Sequence, residues 1–212
     1  TDADEVKNLN DEQKYYISQL QGFPQYFGGA EGTSGPVYVG AIICALFLLG
    51  CFIVKGPIKW TLIALTLLSI LLALGRNCMW FTDLFIDYVP MYSKFRTVES
   101  ILVIAQFTMP LLALLAIKQL FEAEKPWQRY RKAIIASFGV TLLICFMGIM
   151  SPTIFGSLTG EADYEANIKS QYPQIFMVIE QVRASMVASD CLRSLMFIAA
   201  TLIVIILFGT NK

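Results

Sequence analysis

The side chains best suited to chemistry lie in one connection between two apolar runs, residues 76–99. Asp83 and Asp87 in this connection are four residues apart. In a helix they share one face, where their oxygens could hold a divalent cation such as Mg²⁺ or Mn²⁺. Alternatively, Asp83, which follows Thr82, caps a short surface helix and Asp87 is solvated. Both carboxylates are candidates for the catalytic site, and neither is assigned as a catalytic base.

Two arginines at the ends of this connection could bind a phosphate. Arg76 ends the second apolar run, and Arg96 lies at the mouth of the third. A guanidinium binds a phosphate through two parallel hydrogen bonds. The alternatives are an ion pair of Arg96 with Glu99, or arginines that extend to lipid headgroups. Aromatic rings in the same connection, among them Tyr88 and Tyr92, indicate a surface that holds a ligand.

A second charged cluster precedes the last apolar run. Asp190 and Arg193 are three residues apart, and Arg183 lies two helical turns earlier. Charged residues where a helix enters a bilayer must be solvated or paired, and such positions are often functional. The pair is therefore a candidate for substrate binding, with mutual neutralisation as an equally good interpretation.

Three residues interrupt the apolar character of the third run: Gln106, Thr108 and Pro110. They could kink a helix and line a cavity. Hydrogen bonding between helices is the more common explanation for such residues in membranes.

Cysteine and histidine usage limits metal and redox chemistry. The chain has five cysteines in no metal-binding spacing, and it has no histidine, the commonest metal ligand and neutral-pH base. Three cysteines lie inside apolar runs, where a small hydrophobic residue is expected. Cys78 and Cys191 lie at run edges and could form a disulfide if their Cα atoms come within reach.

Composition identifies the class of protein. Apolar residues make up 56% of the 212 residues, and the mean hydropathy is +0.61. Such a chain is predicted to be an integral membrane protein. Its 16 basic and 16 acidic residues cancel, which argues against nucleic-acid binding because that function needs a concentrated basic face.

The positions of the apolar runs predict an all-α membrane bundle. There is no alternation with a period of two, which a membrane barrel would require. A polar segment, 1–36, precedes a transmembrane domain, 37–212. Five transmembrane helices are expected, at about 37–54, 58–75, 100–119, 133–150 and 194–209.

Loop charge predicts the orientation of these helices. The links 55–59 and 118–132 are densely basic and are predicted to be cytoplasmic, together with the C-terminus. The N-terminal segment and the connections 76–99 and 151–193 would then be extracytoplasmic. Within the last connection, apolar residues recur every three or four positions over 172–192, which predicts an amphipathic interfacial helix before the chain turns into the membrane.

Three stretches resemble the YfhO family of bacterial multi-span membrane proteins: EGTSGPVYVGAIICALFLLGCFIVKGPIKW, LALGRNCMWFTDLFIDYVPMYSKFRTVESILVIAQFTMPLLALLAI and SDCLRSLMFI. The resemblance covers about residues 24–208. Since the chain starts at Thr1 without a signal peptide, we expect an internal fragment with further helices on both sides. The resemblance implies a GT-C-type glycosyltransferase in the bacterial cytoplasmic (inner) membrane. Such enzymes move a sugar from a polyprenyl-phosphate carrier to a cell-envelope acceptor on the outer face.

The resemblance also implies roles for residues. Arg96 or Arg76 would bind the carrier phosphate, and the aromatic side chains of Tyr88 and Tyr92 would stack on the sugar. The catalytic acidic residue of GT-C enzymes generally lies in the first outer loop, a region expected to precede this chain.

Two other functions remain open. The first is a transporter or flippase of lipid-linked envelope precursors, in which Asp190, Arg193 and Gln106 line a path. The second is a structural membrane module. A transporter places charged residues near the bilayer midplane, whereas here they lie at the edges of the apolar runs, which favours surface chemistry.

Overall fold

The computed structural model describes residues 38–89, 98–156, 158 and 173–211. Within these residues the regular structure is helical and contains no strand, which confirms the all-α prediction. The α-helices are α1 (Ala41–Ile53), α2 (Pro57–Ala73), α3 (Met79–Tyr88), α4 (Leu102–Glu122), α5 (Pro126–Met150) and α6 (Pro173–Asn211). Short 3₁₀ turns occupy Gly75–Cys78, Val98–Ile101 and Pro152–Phe155.

The described residues fall into two compact units. The larger unit lies within 34–142 and 197–212, and the smaller includes 143–196. Helices α5 and α6 contribute to both.

The core of the larger unit is built from α1, α2 and α4. Both α1 and α2 pack against α4. The buried positions on α4 recur every three or four residues and so form one stripe along the helix, made of Ala105, Thr108, Leu112, Ala113, Ala116 and Leu120. The small and hydroxyl side chains of this stripe are buried together with two leucines, while the large apolar side chains of Val103, Phe107 and Leu114 are exposed. This distribution is typical of helices that face lipid and pack through small residues.

Helices α1 and α4 approach each other closely at Gly50. A Cβ atom built on Gly50 would lie 2.8 Å from both the backbone oxygen and the Cγ of Leu112. Leu49 and Leu112 are fully buried beside this contact. The absence of a side chain at Gly50 is therefore what allows α1 and α4 to approach so closely.

A hydrogen bond joins α2 to α4 inside the core. The hydroxyl oxygens of Thr66 and Thr108 are 2.7 Å apart, and both side chains are buried. Each hydroxyl also lies within hydrogen-bond distance of a carbonyl oxygen on its own helix. This confirms the interhelical hydrogen bond expected of Thr108. Gln106 is exposed, and α4 continues through Pro110.

Three helices are long and apolar enough to cross a membrane among the residues the structure describes. They are Leu102–Glu122, Pro126–Met150 and the part Ile179–Thr210 of α6. Helices α1 and α2 have 13 and 17 residues, which gives lengths of about 20 Å and 26 Å against a hydrocarbon core of about 30 Å. The structure thus supports a membrane protein with three candidate spans. The other two predicted crossings stay predictions.

The predicted basic link 118–132 is wrong in its extent, because most of it is helical. Helix α4 continues to Glu122 and α5 already begins at Pro126. Lys118 and Glu122 form an i,i+4 ion pair at 3.7 Å, which supports the last turn of α4. Proline is favoured in the first turn of a helix. Only residues 123–125 connect the two helices.

The predicted turn between the amphipathic segment 172–192 and the last span 194–209 is also wrong. Helix α6 runs without interruption from Pro173 to Asn211. Between 174 and 208 the chain has neither glycine nor proline, so no residue in this stretch breaks the helix.

Candidate functional site

Helix α3 is held at the end of α2 by a buried hydroxyl. The Oγ1 of Thr82 lies 3.0 Å from the carbonyl oxygen of Gly75 and 3.2 Å from that of Cys78. These bonds link α3 to the 3₁₀ turn that precedes it. Because α3 begins at Met79, the alternative that Asp83 caps the helix is wrong.

One face of α3 presents two carboxylates and an indole to the exterior. Trp80, Asp83 and Asp87 are spaced by three and four residues in the helix and therefore share a face. Both carboxylates are exposed, and Trp80 is 72% exposed. The shared face predicted for Asp83 and Asp87 is confirmed. Tyr88, at the end of the helix, is 80% exposed. We call Trp80, Asp83 and Asp87 the α3 face.

The metal hypothesis rests on these two carboxylates alone. The described part of the chain contains no group of three or more histidine, cysteine, aspartate or glutamate side chains that could hold a metal ion. Ca²⁺ and Mg²⁺ take six or more oxygen ligands, so a cation held by Asp83 and Asp87 would need oxygens from water or substrate.

The connection 76–99 begins and finishes on the same side of the packed helices α2 and α4. The turn Gly75–Cys78, which contains Arg76, follows α2 directly, and the turn Val98–Ile101 packs against α2. The side chains of Arg76 and Glu99 are not described, and Tyr92 and Arg96 lie outside the described residues. The phosphate-binding roles of the two arginines therefore stay predictions.

Asp190 and Arg193 form an ion pair on the surface of α6. Their side chains are 76% and 68% exposed, and the Arg193 Nη1 lies 3.5 Å from the Asp190 Oδ1. This supports mutual neutralisation as the explanation of the pair. Exposed pairs of this kind contribute little to stability.

A charged residue not proposed as a site from the sequence is buried in the smaller unit. Arg183 is 2% exposed, and its Nη1 donates a 2.7 Å hydrogen bond to the carbonyl oxygen of Leu158. Phe176 and Ile179 are buried on the same side of α6, seven and four residues earlier. In the sequence, the spacing of Arg183 from these apolar residues was the signal that its side chain lies on the same side of the helix. Arg183 fastens the loop after α5 to α6.

The segments predicted to be cytoplasmic lie at one end of the larger unit. Lys55, after α1, and Lys118, near the end of α4, line a common groove. Near the C-terminus, the Phe208 ring makes an edge-to-face contact with Phe121 at 4.8 Å, and Gly209 packs closely on Trp127. Because α2 starts at this end and α3 follows its other end, the α3 face lies away from these segments. Which side of the membrane each end faces stays a prediction.

All five cysteines are described, and each is a free thiol. Cys78 belongs to the larger unit and Cys191 to the smaller, and a disulfide between them stays a prediction.

Comparisons of the chain with protein-family models, with curated proteins and with solved structures found no match.

Proposed function

We propose that this chain is part of a bacterial membrane glycosyltransferase of the YfhO, GT-C-like type. It would move a sugar from a polyprenyl-phosphate carrier to a cell-envelope acceptor at the outer face of the cytoplasmic membrane. The observation that carries the proposal is the α3 face, an exposed indole and two exposed carboxylates on one side of a short helix, next to apolar helices. The family resemblance supplies the reaction class.

The α3 face suits a carbohydrate. Carboxylate oxygens accept hydrogen bonds from sugar hydroxyls, and aromatic rings provide an apolar surface with a polar edge. Asp83 and Asp87 also stand where they could hold Mg²⁺ or Mn²⁺ together with substrate oxygens. The apolar helices beside α3 would keep a lipid-linked sugar at this level, with its tail in the bilayer.

The carrier phosphate is assigned to the arginines of the same connection. Arg96 and Arg76 flank the α3 helix in sequence, and a guanidinium forms charge-assisted, bidentate hydrogen bonds with phosphate. The catalytic acidic residue and the remaining helices of the site would come from parts of the longer protein.

The proposal includes five membrane crossings with the α3 face outside. Gly50 of α1 contacts Leu112, which is the middle residue of α4, a candidate span. The Thr66–Thr108 bond joins α2 to the same span. These contacts support α1 and α2 as membrane-embedded helices despite their short length.

Single cysteines in a cysteine-free background test this topology. We expect Asp83→Cys to react with a membrane-impermeant maleimide in intact cells. Lys55→Cys and Lys125→Cys should react only after permeabilisation, since they lie at the opposite end of the larger unit. Labelling of Lys55→Cys and Asp83→Cys from the same side would show that α2 does not cross.

Sugar transfer tests the function. Membranes containing the full-length protein would be supplied with polyprenyl phosphate carrying a radiolabelled sugar, and incorporation into envelope polymer would be measured. Arg96→Ala should lower incorporation by roughly 10- to 100-fold, because a hydrogen bond to a charged group contributes roughly 1.5–3 kcal/mol. The double variant Asp83→Asn/Asp87→Asn should lower it at least tenfold if both carboxylates contact the sugar or a cation.

The matched control is Glu124→Gln, an exposed acidic residue at the opposite end of the larger unit. It should leave incorporation unchanged. Full incorporation by Arg96→Ala would remove that residue from the mechanism. Absence of transfer by the wild type, with all candidate sugars, would reject the transferase itself.

A further inference from the structure

The groove at the end of the larger unit opposite the α3 face is not used by the proposed transferase. It is lined by Val54, Lys55, Ile58, Leu115, Lys118, Gln119 and Glu122. Its volume is about 150 Å³, which is small beside the roughly 300–1,000 Å³ of pockets that enclose a drug-sized ligand. A small headgroup fits this space, and a whole lipid does not.

The charges at the groove favour an anion. Two lysines, Lys55 and Lys118, face one carboxylate, Glu122. The Lys118–Glu122 ion pair is long, at 3.7 Å, and both side chains are mostly exposed. Exposed pairs of this kind are weak, so Lys118 can turn to a stronger anionic partner. Lys55 is also exposed.

The remaining lining consists of three apolar residues and the polar Gln119. Ile58 is 61% exposed on the first turn of α2, and Val54 and Leu115 complete the apolar side. Two exposed lysines beside the exposed side chain of Ile58 match a phospholipid, whose phosphate lies at the membrane surface and whose acyl chains extend into the bilayer.

Lys59, the residue after Ile58, is already engaged in other contacts. The Nζ of Lys59 donates a 3.3 Å hydrogen bond to the carbonyl oxygen of Cys51 and lies 4.7 Å from the centre of the Trp60 ring. Tryptophan is common at the level of lipid headgroups. The groove therefore stands at the depth where a phosphate would be.

We propose that this groove binds the headgroup of an anionic phospholipid, with Lys55 and Lys118 contacting the phosphate. The two lysines come from different basic links and meet between the end of α1 and the end of α4. The site is independent of the proposed transferase reaction.

The test measures binding of phosphatidylglycerol to the purified, delipidated protein in dodecyl maltoside by native mass spectrometry. The variant Lys55→Gln/Lys118→Gln is expected to bind roughly 25-fold more weakly, from roughly fivefold for each basic residue near the lipid surface. Lys55→Arg/Lys118→Arg should retain binding within about twofold, since it keeps both charges. The wild type should bind phosphatidylcholine much more weakly than phosphatidylglycerol.

The matched control is Arg131→Gln/Lys132→Gln, which removes two exposed cations of α5 that do not line the groove. This variant should bind like the wild type. An equal loss in the control, or full binding by Lys55→Gln/Lys118→Gln, would overturn the site. Glycerol 3-phosphate should not displace the lipid, because it lacks acyl chains. Displacement by it at equal concentration would overturn the lipid assignment in favour of a soluble phosphate.

Discussion

Gly50→Ala is expected to destabilise the protein by roughly 1–3 kcal/mol, the usual range for overpacking a well-packed core. The new methyl group would lie 2.8 Å from the backbone oxygen of Leu112. A backbone atom cannot rotate away as a side chain can, so α1 and α4 would have to separate. The apparent melting temperature in detergent micelles, followed by circular dichroism, measures the effect.

Gly139→Ala is the matched control. Gly139 is also a helical glycine, it is exposed, and a Cβ there would meet no atom within 4 Å. Alanine is a better helix former than glycine by roughly 1 kcal/mol. The control should therefore be neutral or slightly stabilising. Equal melting temperatures for the two variants would contradict the close contact between α1 and α4.

Arg183→Met is expected to lower stability by roughly 1.5–3 kcal/mol through loss of a charge-assisted hydrogen bond. Methionine fills a similar space, and the change removes the donor to the Leu158 carbonyl, now 2.7 Å from the guanidinium. Removing one member of a buried polar contact is costly because the other member stays in the interior. Limited proteolysis within 151–158 should accelerate as well, because this contact fastens the loop to α6.

Arg193→Met on the same helix provides the comparison. Arg193 pairs with Asp190, but both side chains are largely exposed. A change within about 0.5 kcal/mol is expected, as for most surface substitutions. If Arg183→Met proved as mild as Arg193→Met, or left proteolysis of the loop unchanged, Arg183 would not anchor this loop.

The prediction of a helical membrane protein needs only the sequence, because membrane helices are recognised by their local hydrophobicity. Runs of apolar residues near 20 in length predict helices without any knowledge of their partners, and each predicted run contains a helix. The shared face of Asp83 and Asp87 was also predictable, since a four-residue spacing decides it once the segment is helical.

The ends of the helices were predicted less well, because the residues that start and stop a helix lie outside the apolar runs. Polar residues before Ala133 indicated a link, yet Pro126 starts α5 there and the following residues are compatible with a helix. The boundary of a helix depends on hydrogen bonding and first-turn residues, and the boundary of an apolar run depends on the lipid. The two need not coincide.

By itself the sequence predicted an all-helical membrane protein, and it located the acidic and aromatic residues of the connection after α2. Only the tertiary structure decided which residues are buried. It placed Arg183 inside and the Asp190–Arg193 pair outside, although both belong to one helix. It also brought Lys55 and Lys118 to one groove, although they are far apart in the sequence. Burial and long-range proximity depend on how helices pack against each other, and a pattern along a single helix does not specify that packing.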